Sequence, residues 1–238
     1  MRISILTMFP EMLDSLKNSP VAIHAQRDGI LDLEIIDIRK YAGGSYRHID
    51  DSPYGGGAGM ILRCQPVLEA LKKVKDEDSW TVIPSPVGNV FTQKKAHALA
   101  GKKHLILIAG HYEGIDARVY EHCDEMISLG DYILSSGEYA CMDVADAVIR
   151  LLDGVMKKES TEEESFENGL LEYPQYTRPE NYEGEHVPAV LLSGDHEKIR
   201  KWKLKKSLET TLKYRPDLLK RKDLNEEEKK MLDEIRKK

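Results

Sequence analysis

Cysteine is scarce. Three residues (Cys64, Cys123, Cys141) in 238, with no Cys-x-x-Cys pair among them, exclude a disulfide framework and a cysteine-based zinc site. An odd, scattered set fits packing residues in a reducing cytoplasm. Long apolar runs are lacking too: nothing approaches the roughly 18 residues that a membrane-spanning helix needs. The short apolar start is interrupted by Glu11 and Asp14, which argues against a signal peptide or anchor. No His-Glu-x-x-His, no His–Cys cluster and no Gly-x-Ser-x-Gly occurs, so neither a catalytic metal nor a serine nucleophile is expected. The densest glycine stretch, 50–60, lacks the Gly-Lys-Ser/Thr of a phosphate loop. It also lacks the spacing and preceding strand of a dinucleotide fingerprint.

What is present is ample for a core. The hydrophobic content is 41%, over a length that accommodates one large or two small domains. The net charge of −6 is unevenly spread. From Lys198 to Lys238 there are 16 Lys+Arg and 8 Asp+Glu, a net of +8, against −14 for the remaining 197 residues. A basic tail on an acidic body suits an arm for a polyanion; a solvated helical face of mixed charge is the other reading composition leaves open.

Residues 104–155 organise the chain. The apolar run His104–Ala109 reads as a buried strand and breaks into Gly110-His111-Tyr112-Glu113-Gly114. A second run, 126–129, breaks into Gly130-Asp131-Tyr132-Ile133-Leu134-Ser135-Ser136-Gly137, followed by a helical pattern to about Leu152. Two glycine turns after adjacent strands can form a cup of main-chain groups around a ligand, or can simply be tight turns. Around this centre, strands are expected at Arg2–Leu6, Leu33–Ile38 and Trp80–Pro84. Helices are expected at 9–16, 67–74 and 92–100, with Thr92 as a cap. Strands separated by helices imply an α/β domain with a mainly parallel sheet and helices on both faces. Residues 159–172, polar and aperiodic, read as a linker. Residues 173–238 read as a small, basic, mostly helical domain: irregular from 173 to 188, then helices at 195–206, 209–219 and 225–237.

The wording of the segments narrows the reading. FPEM, DDSPYGGGAGM (50–60), SPVGNVFTQ (85–93), GHYEGIDARV, LGDYIL, ESFENGLLEYPQYTRP (164–179) and VPAVLLSGDHEKIRKW (187–202) stand in order over nearly the whole chain. Together they resemble the bacterial tRNA (guanine-N1-)-methyltransferases, members of the SPOUT class. The resemblance implies a deep trefoil knot in residues 1–158, which general chain rules would argue against. It also implies a homodimer with a composite active site, tRNA as substrate, and transfer of methyl from S-adenosylmethionine to N1 of guanine 37.

The resemblance carries site residues with it. The cofactor is expected at Ser85, Pro86, Gly110, Tyr112, Glu113, Gly114, Leu129, Gly130, Asp131, Tyr132, Ile133, Leu134 and Gly137. Asp50, Tyr54 and Gly55 are expected at the target guanosine, and Lys198, Arg200, Lys201, Lys203 and Arg215 on the tRNA. N1 of guanine bears a proton near neutral pH, so transfer needs a base and a cation or donor for the charge that spreads to O6. The resemblance assigns these to Glu164 and Arg150. Composition alone would read Glu162-Glu163-Glu164 as solvated linker. Three departures are visible: Glu164 stands where Asp is usual, Ser136 for a glycine, and Ala140 for a proline. Two rival readings are another SPOUT RNA methyltransferase, acting on ribose or a different base, and a non-catalytic RNA-binding protein with a nucleotide pocket.

Overall fold

The computed structural model describes residues 1–43, 48–157 and 161–237. They divide into two compact units, Met1–Lys157 and Lys158–Lys238.

The first unit begins with β1 (Arg2–Thr7), a 3-10 turn (Pro10–Leu13), α1 (Asp14–Lys17), α2 (Pro20–Arg27) and β2 (Asp32–Asp37). After a further turn come β3 (Asp50–Asp51), β4 (Ile61–Leu62), α3 (Cys64–Val74), β5 (Ser79–Val90), α4 (Gln93–Ala100) and β6 (His104–Ile108). A 3-10 helix (Ala117–His122), β7 (Glu125–Ser128) and α5 (Gly137–Ile149) complete it. Five strands form one sheet in the order β2-β1-β6-β5-β7, with every pairing parallel.

Alternation along the strands splits the core across the sheet. Ile3, Ile5, Leu105 and Leu107 face a cluster with Ala22 and Ala25 of α2, Leu99 of α4 and Val144 and Val148 of α5. Leu6, Ile106, Ile108 and Ile83 face Val67, Ala70 and Leu71 of α3 and Val119. Each fully buried Leu or Ile stabilises by roughly 1.5–3 kcal/mol, and both faces are needed to bury a parallel sheet. Thr92 caps its helix as expected, its hydroxyl accepting from the Lys95 N–H, and Pro10 opens the first turn. The stripe expected as one helix over 9–16 is instead the 3-10 turn followed by short α1. The helix at 20–27, capped by Ser19 with Pro20 at its start, is an addition to the expectation.

The glycine turns do not follow adjacent strands. β5 lies between β6 and β7, so the chain steps from β5 to one side and then to the other. That makes a switch point where three strand ends converge, the usual place for a ligand in a parallel sheet. β5 also exceeds the expected Trp80–Pro84. Pro84 and Asn89 both register with Ile127, so residues 85–88 leave the sheet as an excursion and return. Gly88 closes it: a Cβ there would lie 2.4 Å from the Ile127 nitrogen. Between β6 and β7 the chain forms a 3-10 helix, Ala117–His122, and no α-helix.

The second unit contains a two-strand hairpin (β8, Asn181–Tyr182; β9, Glu185–His186) within the segment expected to be irregular. It continues with α6 (Ala189–Leu192), α7 (His196–Tyr214), α8 (Pro216–Arg221) and α9 (Glu226–Arg236). Asp195 caps α7, its carboxylate accepting from the Lys198 N–H. The helix runs to Tyr214 because Ser207, Leu208 and Thr211 stay buried, and it stops before Pro216. Asn225 and Glu228 form a reciprocal capping box on α9. Of the stretch read as linker, 159–160 lie outside the described residues, and 161–172 pack into the second unit. Leu170 is buried with Leu208, Leu219 and Leu232, and the Leu171 N–H donates to Thr211 Oγ1 at 2.8 Å.

Gly88→Ala should destabilise the protein by about 1–3 kcal/mol, since the Cβ meets backbone that cannot yield. Gly101→Ala should stabilise by roughly 0.4–1 kcal/mol, because Gly101 already has helical φ and an added Cβ finds only ordinary contacts. Urea unfolding of the two variants checks both signs.

Candidate active site

A cleft of about 230 Å³ lies beyond the carboxyl ends of β5, β6 and β7. Its walls are three segments: the excursion after Pro84, the loop from Gly110 to Ile115, and the run from Ile127 through Ala140. Twelve of the thirteen residues expected at the cofactor line it; Asp131 is exposed and lies outside the lining. His111, Ser128 and Ser136 line it as well, and none of them was among the expected cofactor residues.

The glycines have distinct reasons. Gly137, the first residue of α5, donates its N–H to the Gly110 carbonyl at 2.8 Å, and a Cβ on it would lie 2.4 Å from the Gly110 nitrogen. Gly130 has φ +146, a left-handed conformation that L side chains avoid. Valine at Gly130 would therefore strain the backbone as well as fill the cleft. Tyr112 takes φ +60 without being glycine and packs edge-on to His111, centroids 4.8 Å apart.

The glycine-rich stretch is a hairpin whose base joins this wall. Asp50 and Asp51 pair with Leu62 and Ile61. The Glu113 N–H donates to the Met60 carbonyl (3.0 Å), and the Leu62 N–H to the Gly114 carbonyl (2.9 Å). Tyr54 is fully exposed at the tip, and Gly55 has φ +87 with open space around it. Arg118 forks onto Asp116 at 2.9 and 2.6 Å and holds that carboxyl down to about 2, which fixes the far end of the Gly110–Ile115 loop.

Behind the cleft sits a fully buried carboxylate, Glu138. It accepts from Thr7 Oγ1 at 2.6 Å and from the Ser136 hydroxyl, and His111 Nδ1 lies 4.0 Å from it. Glu138 was missed in the sequence because an acid in the first turn of a helix ordinarily reads as a solvated cap neighbour.

Arg150 is the C-cap residue of α5 in the first unit. Glu164 belongs to the second, in a turn built by its neighbours: the Ser165 hydroxyl accepts from the Glu172 N–H (2.9 Å), and the Phe166 N–H donates to the Leu170 carbonyl (2.8 Å). The five expected tRNA cations are also in the second unit, and each has an acidic partner. Lys198 pairs with Asp195, Arg200 with Glu197 and Glu227, Lys201 with Glu197, Lys203 with Glu163, and Arg215 with Asp217. The cations hold Glu197 and Asp217 down to about 2. Among the described residues, Lys205 has no such partner, no metal-binding cluster of His, Cys, Asp or Glu occurs, and no helix is long and apolar enough to cross a membrane. Cys123 and Cys141 behave as packing residues: burial pushes the Cys123 thiol to about 12 and the Cys141 thiol well above its ordinary value.

A parallel α/β sheet with a glycine-walled cleft at a switch point defines a class of protein that binds a nucleoside-sized ligand. The model of the tRNA (guanine-1)-methyltransferase TrmD family matches residues 1–221, and the chain belongs to that family. Its relatives include proteins named tRNA (guanine-N(1)-)-methyltransferase from Clostridium botulinum strain Langeland, 50% identical over the whole of both chains, and strain 657, 52% identical over the same extent. Another, from Clostridium novyi, is 51% identical over 98% of this chain and 97% of its own. Membership implies the deep trefoil knot in the first unit.

The cleft fits S-adenosylmethionine on its own terms. It is nucleoside-sized, its walls are mainly apolar, and its close backbone crossings leave no room for side chains at Gly137. One imidazole nitrogen in its wall, His111 Nδ1, is buried without a hydrogen-bond partner. Gly110→Ala is the cleanest probe, because its Cβ would meet only the Ile115 side chain at 3.4 Å. Overfilling at the usual scale predicts a roughly tenfold or greater loss of cofactor affinity with the fold retained. Calorimetric titration beside a melting curve checks this.

Proposed function

We propose that the protein transfers a methyl group from S-adenosylmethionine to N1 of guanine in tRNA, at position 37, in the cytoplasm and as a homodimer with composite active sites. Family membership with full-length relatives of that name carries the proposal. When bound, S-adenosylmethionine supplies an electrophilic methyl on a sulfonium. The chain's residues must then position the acceptor, take its proton and meet the displaced charge.

In this reading Asp50, at the base of the exposed hairpin, holds the guanine while Tyr54 and Gly55 reach over it. The Glu164 carboxylate accepts the N1 proton as the new N1–carbon bond forms and the sulfur–carbon bond breaks. The Arg150 guanidinium meets the charge on O6. The packed turn that follows Glu164 supports a placed side chain rather than a solvated one, since the Ser165 hydroxyl and the buried Leu170 anchor it. Glutamate in place of aspartate adds one methylene, which the rigid turn must absorb. Homodimerisation would cover the apolar residues exposed near the cleft mouth, of which Ile133 is 81% exposed.

The tRNA would lie on the second unit. The cations of α7 hold exposed acids, and exposed pairs of this kind contribute little, so they can exchange a carboxylate for a phosphate. Lys203 differs: its ammonium donates to Glu163 (2.7 Å), which also accepts from the Tyr173 hydroxyl (2.6 Å), and it stacks over the Tyr173 ring.

The direct experiment is labelled methyl transfer to tRNA transcripts carrying or lacking the target guanine, with nucleoside analysis of the digest. N1-methylguanosine only from the former supports the proposal; a ribose-methylated product, or none, overturns it. Glu164→Gln should bind both substrates nearly normally and lose roughly 10²-fold or more in single-turnover transfer, the usual scale of general-base catalysis. A variant of near wild-type speed would remove Glu164 from the role. Lys205→Gln should lower the salt dependence of tRNA binding by about one phosphate contact, whereas Lys203→Gln should change it less. Filter binding across a salt series reads both.

A further inference from the structure

The buried carboxylate of Glu138 has no part in the chemistry above, yet it contacts three segments that shape the cleft. Thr7 ends β1, Ser136 caps α5, and His111 stands in the wall. The Thr7 hydroxyl accepts from the Phe9 N–H (2.8 Å) and the Ser136 hydroxyl from the Glu138 N–H (3.3 Å), so each has its proton left for the carboxylate. Both oxygens of Glu138 are thereby acceptors, as an ionised group requires, and the positive end of α5 adds to the fit. A charge sealed from water acts over a longer range than an exposed one.

His111 connects this charge to the cleft. Its Nδ1 is buried, unpartnered and 4.0 Å from Glu138, while the side chain is 21% exposed and lines the cleft. Phe9 clamps the ring edge-on, centroids 4.9 Å apart. A bare nitrogen lone pair facing a carboxylate is repulsive, so the favoured tautomer carries hydrogen on Nδ1 and leaves the lone pair on Nε2.

We propose that Glu138 and His111 are a specificity-determining pair: the carboxylate orients the imidazole and biases this wall negative, which favours a cationic sulfonium over the neutral thioether formed from it. The pair therefore helps the cleft to hold the methyl donor and to release the spent product. This rests on the reading of the cleft as the S-adenosylmethionine site.

The test is the ratio of two dissociation constants, for S-adenosylhomocysteine and S-adenosylmethionine, measured calorimetrically on the full chain. Glu138→Gln keeps the shape and removes the charge. It should shift the ratio toward the thioether by roughly fivefold, the order expected of one unit charge acting through a partly screened protein interior. His111→Phe keeps the ring packing, loses the nitrogens, and should shift the ratio the same way. Equal weakening of both ligands means a structural role only and overturns the proposal, as does an unchanged ratio. If Glu138→Gln does not fold, His111→Phe decides alone by the same criterion. Failure of the wild-type protein to bind either ligand would instead remove the cofactor reading of the cleft, and this proposal with it.

Discussion

The structure of the first unit depends on one close backbone crossing. Gly137, entering α5, donates to the Gly110 carbonyl at 2.8 Å, with no room for even a methyl group between the segments. That contact brings the chain leaving β7 back against the chain leaving β6, although β5 separates the two strands in the sheet. The cleft is the space left between these crossings and the excursion of β5. A side chain at Gly137 or Gly88 would push the walls apart, so the site and the topology are set by the same few positions. A knotted chain needs such passes, and glycine is the residue that permits them.

Most elements were legible because their signals are local. The strands at 2–7 and 104–108 are continuous apolar runs, and Thr92, Asp195 and Asn225 are cap residues at the right offsets. What could not be read is what depends on contacts distant in sequence. Nothing local says that β5 inserts between β6 and β7. Nothing local says that residues 85–88 leave the sheet, or that polar residues 161–172 fold back onto Leu208 and Thr211. The cleft wall was legible through the wording of its motifs rather than through physical pattern. Glu138 follows directly on Gly137, an expected cofactor residue, and still escaped, because burial of a charge is decided by Thr7, 131 positions away.

The second unit places its charges differently. The positive excess of residues 198–238 is real in composition, yet the cations expected on the tRNA are held by neighbouring acids. In the proposed reading a surface of exchangeable pairs keeps α7 ordered without RNA and gives up little when phosphate replaces carboxylate. The first unit would then form the cofactor cleft, and the basic stretch 198–238 of the second would offer charge to a polyanion.

The central claim is that three segments meeting at the Gly137–Gly110 crossing form the cofactor site. Hydrogen–deuterium exchange with and without S-adenosylmethionine tests it most directly, because cleft amides are reported segment by segment. The account predicts slowed exchange in peptides covering 84–91, 109–116 and 128–140, with 195–237 unchanged. Protection confined to the second unit, or none in the three cleft segments at saturating cofactor, would contradict it.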